Sequence, residues 1–284
     1  MSIGKKCVVF CRMIKIEHSI FALPFAYAGA FLAARGWPEG KTLLLLTVAM
    51  VGVRSFAMGF NRVVDVEYDR NNPRTAQRAL VTGEITPWEA WRFCGIMAAI
   101  FVLACAAINP VCLLLSPVAL VLVAVYSLTK RFTWACHFFL GAVIGLAPVA
   151  GWLSVLPELS LPPLLLAFGV LFWIAGFDAL YACQDKLYDE KSGLHSLPVS
   201  FGIQGSMYIA TFCHVNTVIF LFLAGVACEV SVGWYLTLLV SAALLCWEHR
   251  LLRPDRLDNI RFVFALNGPI SVLLLVGTLL GVLV

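Results

Sequence analysis

Long apolar stretches alternate with short polar ones along the whole chain, and this alternation predicts its elements. Nine apolar spans can be counted, at about residues 19–34, 43–60, 90–107, 111–128, 136–156, 164–183, 208–227, 232–247 and 263–284. Each is near the ~20 residues that a helix needs to cross a bilayer. Pro110, Pro117, Pro148, Pro162 and Pro163 fall near span ends or kinks, where freed backbone groups find other partners. The expected fold class is all-α, a polytopic membrane bundle of nine transmembrane helices.

The polar stretches orient that bundle. Lys5, Lys6, Arg12 and Lys15, then Arg62, Arg70, Arg74 and Arg78, then Lys130 and Arg131, then Lys186 and Lys191, and last Arg250, Arg253, Arg256 and Arg261 gather on one side. The other side holds Arg35 and Lys41. Basic loops stay inside, so the N-terminus is expected in the cytoplasm and the C-terminus outside. The long connections, at about residues 61–89 and 184–207, are then cytoplasmic.

Composition narrows the class further. Residues are 61% hydrophobic and 13% charged, with mean hydropathy +0.92, against about 25% charged in soluble domains. One transmembrane domain over 1–284 leaves no room for a separate soluble one. The net charge of +4 comes without a basic run interleaved with aromatics, so the charges set topology and no nucleic-acid partner is expected. Of ten cysteines, eight lie singly in or beside apolar spans and read as small core residues rather than a disulfide framework. Lys5 and Lys6 before an apolar run look faintly like a signal peptide, but Lys15, Glu17 and His18 follow and no A-x-A site appears. The N-terminus is read as a retained amphipathic lead-in helix.

Against this apolar background two acidic rows stand out. Asn61, Asp65 and Asp69 are spaced four apart at the end of span two, so one helical turn separates neighbours along one face. Asp178, Tyr181, Asp185 and Asp189 answer them at the end of span six. The two loops echo each other, with Gly83 after the first row and Gly202 after the second, a sign of internal duplication. One row alone reads equally well as a solvated helix end. Two rows facing one side read as a hard-cation site of oxygen ligands, suited to Mg2+ that takes phosphate oxygens as its other ligands.

Cations surround the rows. Arg70, Arg74, Arg78, Lys130 and Lys186 share the cytoplasmic side, as a diphosphate requires, and Tyr126 sits one turn before Lys130. Arg54 lies inside span two, where a charge marks a functional site by default. Lys15, Glu17 and His18 at the start of span one line the same mouth. Phe60, Phe177 and Tyr181, nearest the acidic rows, are placed to put π faces against a developing carbocation. No positioned nucleophile, glycine-rich nucleotide loop or zinc spacing is present. Gly83 followed by Glu84-Ile-Thr86-Pro87 ends a loop and starts a helix.

Together, NxxxDxxxD at Asn61 to Asp69, the following Asn72-Pro-Arg74-Thr-Ala-Gln-Arg78-Ala-Leu, Tyr126-Ser-Leu-Thr-Lys130-Arg131, and Asp178 to Asp189 followed by His195-Ser-Leu-Pro-Val-Ser-Phe-Gly202 resemble the UbiA superfamily of intramembrane aromatic prenyltransferases. The resemblance spans nearly the whole chain. The opening Ile16-Glu-His-Ser-Ile-Phe-Ala-Leu-Pro-Phe25 is most similar to bacterial 4-hydroxybenzoate polyprenyltransferase-like members, a subgroup that also serves the futalosine route to menaquinone.

That resemblance implies helices around a central cavity, capped by the two acidic loops, with Mg2+ bridging them to a polyprenyl diphosphate. Carried over residue by residue, it implies Asn61, Asp65, Asp185 and Asp189 as metal ligands with Asp69 in support, and Asp65, Asp69, Asp178 and Asp185 as the catalytic carboxylates. Arg74, Arg78, Tyr126, Lys130 and Lys186 would contact the diphosphate. Arg54, Asp178 and Lys15 would face the aromatic acceptor, Lys15 standing where relatives often have arginine. The implied reaction is Mg2+-dependent transfer of a polyprenyl group to 4-hydroxybenzoate or 1,4-dihydroxy-6-naphthoate in ubiquinone or menaquinone biosynthesis. It would take place in the cytoplasmic membrane with no obligate protein partner. An ion-coupled transporter is the reading from another class, and a non-catalytic lipid-binding scaffold a third. A transporter expects charges near mid-bilayer on several spans, whereas here they gather at one face.

Overall fold

The computed structural model describes residues 3–14 and 22–284, and every regular element among them is a helix. In chain order these are α1 (Ile3–Met13), α2 (Leu23–Ala34), α3 (Gly40–Val64), α4 (Val66–Asn71), α5 (Pro87–Ile108), α6 (Pro110–Thr129), α7 (Cys136–Val155), α8 (Leu161–Ala182), α9 (Lys186–Lys191), α10 (Leu197–Cys228), α11 (Val232–Leu251) and α12 (Ile260–Leu283). Eight of them, α3, α5 to α8 and α10 to α12, are long and apolar enough to cross a membrane. The first expected span is occupied by α2, and residues 19–21 of that span lie outside the described residues. The 12 residues of α2 rise only about 18 Å, short of the ~30 Å hydrocarbon core.

The helices form two compact units, Met1–Ser19 with Leu45–Leu128, and Ile20–Leu44 with Thr129–Val284. In the first, Ala49 of α3 packs with Phe101, Ala104 and Cys105 of α5. The lead-in helix α1 lays Val9 and Met13, with Ile14 just beyond, on Leu80, Ile85 and Ala90, and Phe10 stacks on Phe93 with ring centres 4.9 Å apart. Helix α5 starts where the sequence predicts. Gly83 takes φ 79, and Pro87 holds the first position, where its missing N–H costs nothing. Thr86 and Glu89 complete a reciprocal cap, Thr86 Oγ1 accepting from the Glu89 N–H at 3.3 Å and the Thr86 N–H donating to Glu89 Oε2 at 3.0 Å. Lys6 of α1 pairs with the same Glu89.

In the second unit α2 lies backbone-to-backbone on α7. A Cβ at Gly151 would overlap the Ala26 carbonyl, and one at Gly29 would overlap the Pro148 carbonyl. Small residues let membrane helices approach this closely, and packing there replaces the hydrophobic drive that lipid removes. Gly151→Ala is therefore expected to cost about 3 kcal/mol or more, read as a lowered Tm in detergent. Gly95→Ala, where a Cβ meets open space, should leave Tm unchanged.

Buried polar pairs clasp neighbouring helices in this unit. Asn267 Nδ2 of α12 donates to Glu248 Oε1 of α11 at 2.8 Å, and His214 Nδ1 of α10 lies 2.9 Å from His249 Nε2 of α11. Contacts also join the connections at the helix ends. Arg35 after α2 pairs with Glu229 after α10 at 3.6 Å, the Ser231 N–H donates to the Gly281 carbonyl at 2.9 Å, and the His195 N–H donates to the Lys130 carbonyl at 2.8 Å.

Two boundaries differ from expectation. Helix α3 runs on to Val64, which puts Asn61 inside it. Helix α10 begins at Leu197 rather than near 208, because Leu197-Pro198 is a helix start in its own right, and Gly202 at φ 70 and ψ 172 then kinks it. Much of the connection expected at 184–207 is thus helical. In the one at 61–89, residues 72–86 are irregular.

Candidate active site

The first acidic row straddles a break in the helix. Asn61 sits in the last turn of α3, and Asp65, at φ −99 and ψ 9, joins α3 to α4. Asn61 Nδ2 donates to Asp65 Oδ2 at 2.9 Å, so these two side chains meet one turn apart as their spacing predicts. Asp69 does something different. It is buried in α4, and Arg78 Nη1 donates to both of its oxygens. The irregular stretch folds back to make this possible: Thr75 Oγ1 donates to the Asp69 carbonyl at 3.0 Å and the Arg74 N–H to Asn72 Oδ1 at 2.9 Å.

Arg62, which sequence reasoning counted only toward topology, is 7% exposed among these groups. Its Nη1 reaches Asn61 Oδ1 at 3.5 Å, with Asp65, Asp69, Arg74 and Arg78 acting on its charge. Arg54 lies earlier in α3. Its electrostatic neighbour is the Tyr126 phenol of α6 rather than a carboxylate. Phe60 meets Trp91 edge to face at 5.6 Å.

The second row repeats the first in local geometry. Asp185, at φ −96 and ψ 0, directly precedes the six-residue α9, and Asp189 is buried within it, as Asp69 is within the six-residue α4. Lys130 Nζ lies 2.7 Å from Asp189 Oδ2. Burial alone would lower the ammonium's pKa, but the charge and hydrogen bond of Asp189 and the charge of Asp185 raise it above the ordinary lysine value. Lys186 opens α9 half-buried. Gly83, Gly193 and Gly202 all take positive φ, at 79, 65 and 70, but it is Gly193 that stands three residues before a helix start at Ser196, as Gly83 does before Thr86. Gly202 instead marks the kink inside α10.

Asp178 is held by a residue that the spacing did not single out. His137 Nδ1, at the start of α7, lies 2.7 Å from Asp178 Oδ2, and the Leu197 N–H donates to His137 Nε2 at 3.3 Å. Beside Asp178, Phe177 and Tyr181 form an aromatic corner with Phe264 of α12, at 5.2 and 4.9 Å from its ring centre. Lys15, Glu17 and His18 lie outside the described residues.

Among the described residues no group of three or more His, Cys, Asp or Glu converges as a ready-made metal cage. The donors present fit Mg2+ nonetheless. Each row offers only oxygen, half-buried at Asp65 and Asp185, while the buried Asp69 and Asp189 already have cations beside them. Mg2+ keeps several waters and asks a protein for one or two carboxylates plus substrate phosphates.

Residues 22–268 match the model of the UbiA prenyltransferase family. The chain belongs to the UbiA prenyltransferase family. It is thus an integral membrane enzyme, a prenyltransferase. It is 27% identical over 281 residues to a 4-hydroxybenzoate octaprenyltransferase of Methylobacillus flagellatus, covering 98% of this chain and 95% of that one. It is 26% identical to the protein of that name in Photobacterium profundum, covering 98% of both. Among solved structures, the apo form of a UbiA homologue from Aeropyrum pernix K1 has TM-score 0.85 at 30% identity, covering 92% of this chain and 97% of that one. A UbiA homologue from Archaeoglobus fulgidus bound to GPP and Mg2+ shares the fold, with TM-score 0.73 at 22% identity, covering 97% and 100%.

Proposed function

We propose that this family member transfers a polyprenyl group from its diphosphate to a small aromatic acid, 4-hydroxybenzoate or 1,4-dihydroxy-6-naphthoate. The observation that carries this reading is the repeated corner of carboxylates and cation, Asp65, Asp69 and Arg78 in one unit and Asp185, Asp189 and Lys130 in the other. Asn61, Asp65, Asp185 and Asp189 would hold Mg2+, which supplies charge against the departing diphosphate. Arg74, Arg78, Tyr126, Lys130 and Lys186 bind and orient the diphosphate oxygens. Phe177, Tyr181 and Phe264 exclude water and present π faces to the allylic cation. Arg54, Lys15 and Asp178 orient the acceptor. The relatives named for 4-hydroxybenzoate and the homologue holding GPP with Mg2+ support the substrate class. This reading puts the reaction in the cytoplasmic membrane, in one domain of nine spans that counts the short α2 with the eight long helices, with an inner N-terminus; the basic residues that the sequence gathers into alternate connections support that orientation.

Purified protein given a labelled prenyl diphosphate, with 4-hydroxybenzoate and 1,4-dihydroxy-6-naphthoate in parallel, is expected to prenylate one of them in Mg2+ and neither in EDTA. No product from either acceptor, or equal product in EDTA, overturns the reading.

A further inference from the structure

We infer that His137 is a positioning residue that fixes the Asp178 carboxylate for the aromatic acceptor; this rests on Asp178 lying on the acceptor side. A backbone N–H only donates, so the Leu197 N–H at 3.3 Å makes His137 Nε2 an acceptor. The imidazole is then neutral with its proton on Nδ1, and that proton points to Asp178 Oδ2, 2.7 Å away. One nitrogen's partner sets the tautomer and the other nitrogen uses it. The carboxylate is oriented without its charge being cancelled, which an arginine or lysine would do.

The imidazole cannot turn away. It is 2% exposed, and both of its nitrogens are engaged. Leu197 is the first residue of α10, whose leading N–H groups have no partner within the helix, so His137 supplies one from α7. The same junction is tied twice more, by the His195 N–H on the Lys130 carbonyl at 2.8 Å and by Cys136 Sγ at 3.6 Å from the His195 carbonyl. Asp178 has 29% of its side chain exposed, so one oxygen is anchored and the other remains for the acceptor's hydroxyl. The end of the second acidic loop thereby sets the aim of a residue one helix earlier.

The test compares His137→Leu, His137→Asn and Asp178→Asn in the prenyl-transfer assay. Asparagine places an amide N–H near the Nδ1 position, whereas leucine offers no donor. Expected is a loss of about 10–100-fold in kcat/KM for the acceptor in His137→Leu, an unchanged KM for the prenyl diphosphate, and substantial rescue in His137→Asn. Adding His137→Leu to Asp178→Asn should cost nothing further. Equal losses in the leucine and asparagine variants, a matching rise in KM for the prenyl diphosphate, or failure of both to fold would show a merely structural role and overturn the inference. Full activity in His137→Leu with a crippled Asp178→Asn overturns it alone. Full activity in Asp178→Asn removes Asp178 from the acceptor side and the inference with it.

Discussion

Asp65→Ala and Asp185→Ala should each lower Mg2+-dependent diphosphate release by about 10²–10³-fold or more, while the protein still inserts and folds. Both residues are half-buried at the junction of a long helix with a six-residue one. The buried carboxylates next to them, Asp69 and Asp189, hold the ion pairs to Arg78 and Lys130. The losses should appear in turnover and in the Mg2+ concentration needed, beyond any shift in Tm. Full activity in either variant would remove that row from the reaction.

Lys130→Met should do the reverse in part, lowering both activity and stability. It leaves Asp189, whose side chain is 2% exposed, without its cation. Breaking a fully buried pair from one side costs about 3–5 kcal/mol. Lys130 keeps 35% of its side chain exposed, so roughly 2–3 kcal/mol is expected here. The double variant Lys130→Met with Asp189→Asn should recover Tm because no lone charge stays buried, yet remain inactive. A single variant with unchanged Tm would mean that the pair does not stabilise the fold.

The apolar spans and both acidic rows were legible in the sequence because each is written in local spacing. Bilayer thickness fixes span length, and four-residue spacing brings Asn61 to Asp65. The Thr86-Pro87 start was legible for the same reason. What spacing cannot carry is return of the chain upon itself. Asp69 looks like a third member of a stripe but turns to Arg78, and His137 is one histidine in an apolar span until α10 arrives with the Leu197 N–H. Gly202 passed for the partner of Gly83 because both follow an acidic row, whereas the distance to the next helix start identifies Gly193. The start of α10 was read too late because apolar content rises only after the kink.

The two corners differ in where their counter-charge comes from. Arg78 belongs to the same stretch as Asp69, so the buried acid of residues 61–89 is neutralised from within that stretch. Asp189 borrows Lys130 from before α7, and the start of α10 leans on His137. A graft of the first loop into a homologous scaffold brings its own counter-charge but needs α1, which packs on Leu80 and Ile85, whereas a graft of the second must bring the segment from Lys130 to His137 with it.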